Sequence, residues 1–216
     1  MFYSQDKQDN YLENKIFKGY KNGFFVDVGA HNGKSFNNTL YFEETNNWKG
    51  INVEPLKDIY NVLISNRPNC ININCAICNN DGETEFICNA GYSEMLSGIK
   101  DSYDPRHKHR LQKEIKDRGS TSKIIKVETK KLETICDSNS ISHINYLSID
   151  VEGGEFEVIK SINFDKVFID VIGFENNYGD TSIPIVKYLE DRNYKLIHKA
   201  LDIFMIHKNS DFMKNI

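Results

Sequence analysis

The sequence predicts an α/β protein with a seven-stranded, mostly parallel sheet, helices on both faces and an antiparallel hairpin at the C-terminal end. Three observations carry that expectation. Short β-branched and aromatic runs alternate with amphipathic stretches through most of the 216 residues, as βαβ units do. Residues 23–33, Gly-Phe-Phe-Val-Asp-Val-Gly-Ala-His-Asn-Gly, read as strand, glycine turn and the approach to a helix. Two closely spaced runs, 194–198 and 202–207, end the chain as a hairpin.

Taken in order, residues 3–22 become amphipathic, with Leu12, Ile16, Phe17 and Tyr20 at helical spacing, and predict a helix covering the sheet edge. Phe24 to Val28 is apolar enough for a strand buried on both faces. A helix is expected over 35–46, a strand over 49–53, and a helix opened by Pro55 and stopped near Pro68. A third strand spans about 71–77. The turn signal Asn79-Asn80-Asp81-Gly82 then folds back an extra strand, 83–88. A strand at 124–127 and a short helix near 130–137 precede the core strand 144–149. The helix holding Phe156, Val158, Ile159 and Ile162, a strand over 167–174, and a helix over 182–192 lead to the hairpin.

Residues 89–122 break this rhythm. From Lys100 to Lys126 there are nine Lys/Arg against four acids, and Gly91, Gly98, Pro105 and Gly119 interrupt the pattern. An insertion of this length is a lid, a binding loop or a solvated helix with i,i+4 charge pairs. The chain as a whole is expected to form one domain.

Composition narrows the partners. A net charge of −4 gives no global attraction to nucleic acid or anionic membrane. No run approaches membrane-spanning length and the N-terminus lacks a signal-peptide pattern, so a cytoplasmic location is the default. Five cysteines form no disulfide framework. Cys75-x-x-Cys78 is half a zinc pattern without its second half, which favours buried thiols. Phe2, Tyr3 and the hairpin edge are surfaces on which a homodimer could form.

The glycine turn points to a ligand at the carboxyl end of the first strand. A dinucleotide fingerprint needs a third glycine and a P-loop needs Gly-Lys-Ser/Thr; neither is present. Instead an acid, Asp27, precedes Gly29 and Gly33, and Glu54 closes the next strand about 25 residues past the turn. A carboxylate there can accept hydrogen bonds from both ribose hydroxyls. A nucleoside without phosphates, held by Asp27, Gly29 and Glu54, suggests S-adenosylmethionine, and with it a Rossmann-like methyltransferase sheet.

Further acids close later strands: Asp150 and Glu152 after one, Glu175 with Asn176 after the next. These are candidate catalytic residues. Asp150, Glu175 and Asn176 also offer oxygens that suit Mg²⁺, which would lower the pKa of an acceptor hydroxyl. Two alternatives stand beside the metal. Asp150 or Glu152 could cap the following helix, and Glu175 could bind a hydroxyl or an amine directly.

The chain resembles the FkbM family of S-adenosylmethionine-dependent methyltransferases. The resemblance rests on Tyr3-Ser4-Gln5 with Gln8-Asp9, on residues 25–33, on Trp48 to Pro55, and on Leu147 to Phe156, in order across about residues 3–207. It implies a class I methyltransferase fold and O-methylation of sugars or secondary metabolites. By position, Asp27, Gly29, His31, Asn32, Gly33 and Glu54 would contact the cofactor. Ala76 would lie near its adenine and Asp150 near its methionine end, and Gln8 and Asp9 would close over the site. The Glu175-Asn176 pair resembles the metal-binding pair of catechol-type O-methyltransferases. The expected activity is O-methylation of a sugar, nucleotide-sugar or glycan, with the basic insert holding a diphosphate. The alternatives are ribose 2′-O or other nucleic-acid methylation, methylation of a peptide or protein nitrogen, and a catalytically silent binding protein of the same fold. No Asn/Asp-Pro-Pro-aromatic or Pro-Cys motif for base methylation is present.

Overall fold

A computed structural model describes residues 1–216. The chain opens with α1 (Gln8–Tyr11), which continues as a wider π turn over Leu12–Phe17. There follow β1 (Phe24–Val28), α2 (Leu40–Asn46), β2 (Lys49–Val53), α3 (Lys57–Asn66), β3 (Ile71–Ile73), β4 (Ala76–Ile77) and β5 (Gly82–Ala90). The insert contributes β6 (Gly98–Ile99) and α4 (Pro105–Arg118). Then come β7 (Thr121–Lys130), α5 (Leu132–Ser138), β8 (His143–Ile149), α6 (Glu155–Lys160), β9 (Phe168–Glu175), α7 (Ser182–Glu190), β10 (Tyr194–Lys199) and β11 (Asp202–His207).

Seven strands form the main sheet in the order β10-β11-β9-β8-β1-β2-β3. All pairs are parallel except those of β11, which runs antiparallel to both β9 and β10. This is the class I methyltransferase-like arrangement that the sequence predicts. β1 sits between β2 and β8, so the order of connection reverses at its carboxyl end, where an open α/β sheet leaves a crevice.

Two expectations need correction. The run at 124–127 does not resume the main alternation but pairs with the extra strand at 83–88. They lengthen into β5 and β7, which pair antiparallel from Gly82↔Thr129 to Ala90↔Thr121 in a second sheet, β4-β7-β5-β6. The run at 71–77 splits accordingly, β3 staying on β2 while β4 crosses to β7. The N-terminal helix covers a face of the sheet rather than its edge. Leu12, Ile16 and Phe17 are buried with Phe25, Tyr146, Phe204 and Phe212 in an aromatic layer. Glycines make room for those rings: a Cβ on Gly50 would stand 2.3 Å from the Phe25 ring, and one on Gly173 2.6 Å from Phe204. The opposite face, with Val26, Val28, Ile149 and Ile172, packs on α5, α6 and α7 in the larger core. Burying such side chains contributes roughly 1.5–3 kcal/mol each.

The expected helix over 35–46 forms only from Leu40. Residues before it are held as a turn by side chains that outcompete the helix for backbone groups. Asn32 accepts from the Lys34 and Ser35 amides, and Asn37 from those of Thr39 and Leu40. No helix is long and apolar enough to cross a membrane.

Candidate functional site

A cavity of about 390 Å³ opens at the carboxyl ends of β1, β2, β8 and β9 and under the insert. Its two ends differ in chemistry.

At the first end, the turn after β1 is fixed by backbone. The Gly29 and Ala30 amides donate to the Val53 carbonyl, each at 3.0 Å. Gly29 has φ +87, and a Cβ there would lie 1.8 Å from the Asp150 carbonyl oxygen. The glycine is therefore demanded by the neighbouring strand end as much as by any ligand. Asp27 is buried beneath the turn, its Oδ2 accepting from Asn37 Nδ2 and Thr39 Oγ1, both at 2.8 Å. Burial raises its pKa, and nearby Arg67 and these donors offset part of that rise. Arg67, fully buried, ties the same loop by donating to the Gly33 carbonyl, Asn37 and Thr39 and pairing with Glu43.

Glu54 stands at the end of β2 with its carboxylate in the cavity. Oε2 accepts from the His31 amide at 3.1 Å and Oε1 from the Leu56 amide at 2.8 Å. Burial pushes its pKa up to about 7 against the pull of those two amides. Each oxygen keeps lone-pair capacity for a hydroxyl donor. Beside it, Leu56, Ala76, Ile77 and Phe86 form an apolar slot. Ribose on Glu54 and adenine in the slot are a fit for S-adenosylmethionine.

The second end gathers carboxyl groups. Asp150, Glu152 and Glu175 each offer an oxygen within 4.8 Å of the others. Asp202, at the start of β11, reaches the same cavity because it pairs in register with Glu175. Asp150 opens into the cavity and is otherwise enclosed by protein. Its pKa is raised by that enclosure and then by the charge of Glu152, and that of Glu175 by burial and then by Asp150. Burial brings Asp202 up to about 6, with Gln8 opposing the rise through a side-chain hydrogen bond. Three hard oxygen donors this close together are a set that a divalent ion would take.

Of the residues expected from sequence, Gln8, Asp27, Gly29, His31, Glu54, Ala76, Asp150, Glu152 and Glu175 line the cavity. Asn32, Gly33 and Asn176 do not. Asn32 caps its own turn, and a Cβ on Gly33 would meet Leu63 at 2.6 Å and Arg67 at 2.7 Å. Asn176 donates to the Ala200 carbonyl at 2.9 Å, away from the acids. Alternation along the strand explains it: if Glu175 faces the cavity its neighbour faces away, and Asn177 lines the cavity in its place. Glu152 therefore replaces Asn176 in the candidate metal set. Asp9 is fully buried and fastens the N-terminal segment through Ser4 Oγ and the Tyr3 amide, both at 2.5 Å.

The insert is an ordered cover. Asp104 accepts from the Arg106 amide at 2.7 Å, Pro105 starts α4, and Gly119 at φ +70 ends it, as helix capping favours. It docks through Glu94, whose Oε1 is 3.0 Å from His31 Nε2, and through buried His107. Most of its cations face elsewhere. Arg106 binds Asp104 and Asp180, Arg118 lies over Tyr92, and Lys108, Lys113 and Lys116 are exposed. Only Arg110 lines the cavity, and it is paired with Glu114. The basic lid expected to hold a diphosphate thus turns almost none of its charge inward. Asp202 and His107 escaped sequence reasoning; the pairing of hairpin with strand end carried the signal for the first, and nothing local carried one for the second.

Comparison with known proteins places the fold and the family. No curated protein matches the sequence. Among solved structures, the human methyltransferase 10 domain containing protein superposes with a TM-score of 0.50 at 11% identity, over 94% of this chain and 80% of that one. The METTL16 MTase domain gives 0.51 at 12%, over 94% and 66%. These likenesses establish the fold. The model of the Methyltransferase FkbM domain matches residues 27–196, most of the chain and the parallel core from the end of β1 onward. On that match the chain belongs to the FkbM methyltransferase family.

Proposed function

We propose that this methyltransferase uses S-adenosylmethionine to methylate a hydroxyl of a sugar or glycan, with Asp150, Glu152 and Glu175 serving the acceptor. The supporting observation is the division of the cavity: Glu54 and its apolar slot suit a nucleoside, and the acids lie at the other end. When bound, the cofactor supplies a methyl group already activated on a sulfonium. The residues of the chain have two tasks. Gln8, Gly29, His31, Glu54 and Ala76 bind and orient, and alignment provides most of the rate in such a reaction. A strand-end carboxylate holds the acceptor hydroxyl and takes its proton as the new bond to carbon forms.

The cavity wall favours a neutral sugar over a nucleotide-sugar, since a diphosphate would meet Glu94 and Glu114 of the insert and Glu152 of the loop after β8, with Arg110 as its one guanidinium partner. Should a divalent ion take part, Asp150, Glu152 and Glu175 would hold it, and it would polarise the acceptor hydroxyl. The chain is read as a single catalytic domain with the insert as its cover.

The experiment is transfer of tritium from S-[methyl-³H]adenosylmethionine to methyl glycosides, UDP-glucose and an RNA transcript, with and without Mg²⁺. Label in a methyl glycoside is expected. Label in RNA alone would overturn the sugar reading, and preference for UDP-glucose would restore the diphosphate role of the insert.

A further inference from the structure

The mechanism leaves unexplained why the insert buries a histidine. His107, on α4, is 1% exposed and points to the loop after β8. Its Nε2 lies 2.9 Å from Oε2 of Glu152. Neither atom has another polar partner, and the contact is an ion-pair distance rather than an in-line hydrogen bond. On the other side of the ring, Nδ1 meets the Tyr178 hydroxyl at 3.2 Å, in the loop after β9. Tyr103 packs edge-on against the ring, with centroids 4.9 Å apart. When the hydroxyl donates to Nδ1, the N–H sits on Nε2, the ring nitrogen nearer the carboxylate.

Glu152 needs such a partner. It has φ +58, a left-handed conformation in which a long side chain is strained. Its carboxylate is also held beside those of Asp150 and Glu175, which repel it. Without a counter-group it would turn toward solvent. The loop itself is closed in by the insert, since a Cβ on Gly153 would stand 2.8 Å from the Ser102 carbonyl oxygen.

We infer that His107 is a positioning residue for methyl transfer: the insert, braced by Tyr178, holds the Glu152 carboxylate over the cavity against the repulsion of its neighbours. This rests on the reading that the strand-end acids serve the acceptor. The insert is then part of the active site rather than only its roof.

Two substitutions separate the two ring nitrogens. Gln at this position can place a donor where Nε2 stands, whereas Asn reaches only the Nδ1 side. His107→Asn is expected to lower transfer to the best methyl glycoside by about 10- to 100-fold, the usual effect of losing a group that orients a functional ligand. S-adenosylhomocysteine affinity should change less than about twofold, because the cofactor end is untouched, and His107→Gln should recover most of the rate. A second readout needs no acceptor. In the S-adenosylhomocysteine complex, amide exchange across residues 151–154 should accelerate about tenfold in the Asn variant and stay near wild type in the Gln variant. Equal loss in both variants, or unchanged exchange in the Asn variant, would overturn the assignment. If wild type labels no methyl glycoside, the sugar reading fails while the exchange measurement still decides the role of His107.

Discussion

The two ends of the cavity both hold carboxyl groups, buried at the first and open to the cavity at the second, and treat them oppositely. Asp27 and Glu54 have their charge answered within the fold, by Asn37, Thr39 and Arg67 for the one and by two backbone amides for the other. Asp150, Glu152 and Glu175 face one another, with only His107 and Asn177 as polar partners. Backbone amides are fixed before any ligand arrives, so the first end is organised in advance. Mutual repulsion leaves the second in need of a proton, a metal or a cationic partner. On the proposed reading the first end binds the cofactor and the second responds to the acceptor.

The sharpest break in that comparison is at the joint between the ends. Gly29→Ala would put a methyl group 1.8 Å from the Asp150 carbonyl in a left-handed backbone. A loss of about 3 kcal/mol or more in chemical unfolding is expected, in the range of severe backbone clashes. Stability within 1 kcal/mol of wild type would show that the strand ends can separate freely.

Glu54→Gln comes next, and its two effects have opposite signs. S-adenosylhomocysteine affinity should fall about 30- to 100-fold by calorimetry, as when a charged hydrogen-bond partner is lost. Stability of the free protein should rise at pH 8. The Glu54 pKa is raised from 4.5 to about 7 in the fold. Its favourable state is therefore fully present below pH 4.5 and lost as pH climbs through 7, at a cost of up to about 3 kcal/mol by pH 8. Melting of the wild type should be higher at pH 6 than at pH 8, and the Gln variant should flatten that slope. An unchanged slope would mean the carboxylate is well solvated.

At the acid end, Glu175→Gln should stabilise the free protein at pH 8, because burial and Asp150 both raise the Glu175 pKa. It should leave S-adenosylhomocysteine affinity within about threefold of wild type and lower methyl transfer by roughly 100-fold. A variant that lost cofactor affinity instead would merge the two ends functionally. The smallest expected effect is at Arg106→Ala. Its pairs with Asp104 and Asp180 lie at the surface, where solvent screens them, so thermal denaturation should shift little.

The same contrast governs what the sequence made legible. The cofactor end is local: strand, turn and acid lie within 23–33 and 51–55, where glycine spacing and a strand-ending Glu-Pro speak for themselves. The acid end is assembled from distant pieces. Asp202 reaches it only through antiparallel pairing, His107 only because a helix from an irregular insert folds back, and Asn176 leaves it through strand alternation. The second sheet was missed for a related reason, since β5 read as an extra strand folding back and β7 as the resumption of the alternation, with nothing local to pair them. What pairs with what is a long-range decision that single-strand patterns do not carry.

The most direct test is calorimetric titration of the wild-type protein with S-adenosylhomocysteine, with and without Mg²⁺. A preorganised cofactor end should bind with micromolar affinity, about −8 kcal/mol, and Mg²⁺ should change it by less than about threefold, because any metal would sit at the other end. Absence of binding in either buffer would contradict the assignment of Glu54 and its slot to a nucleoside, and binding only with Mg²⁺ would contradict the independence of the two ends.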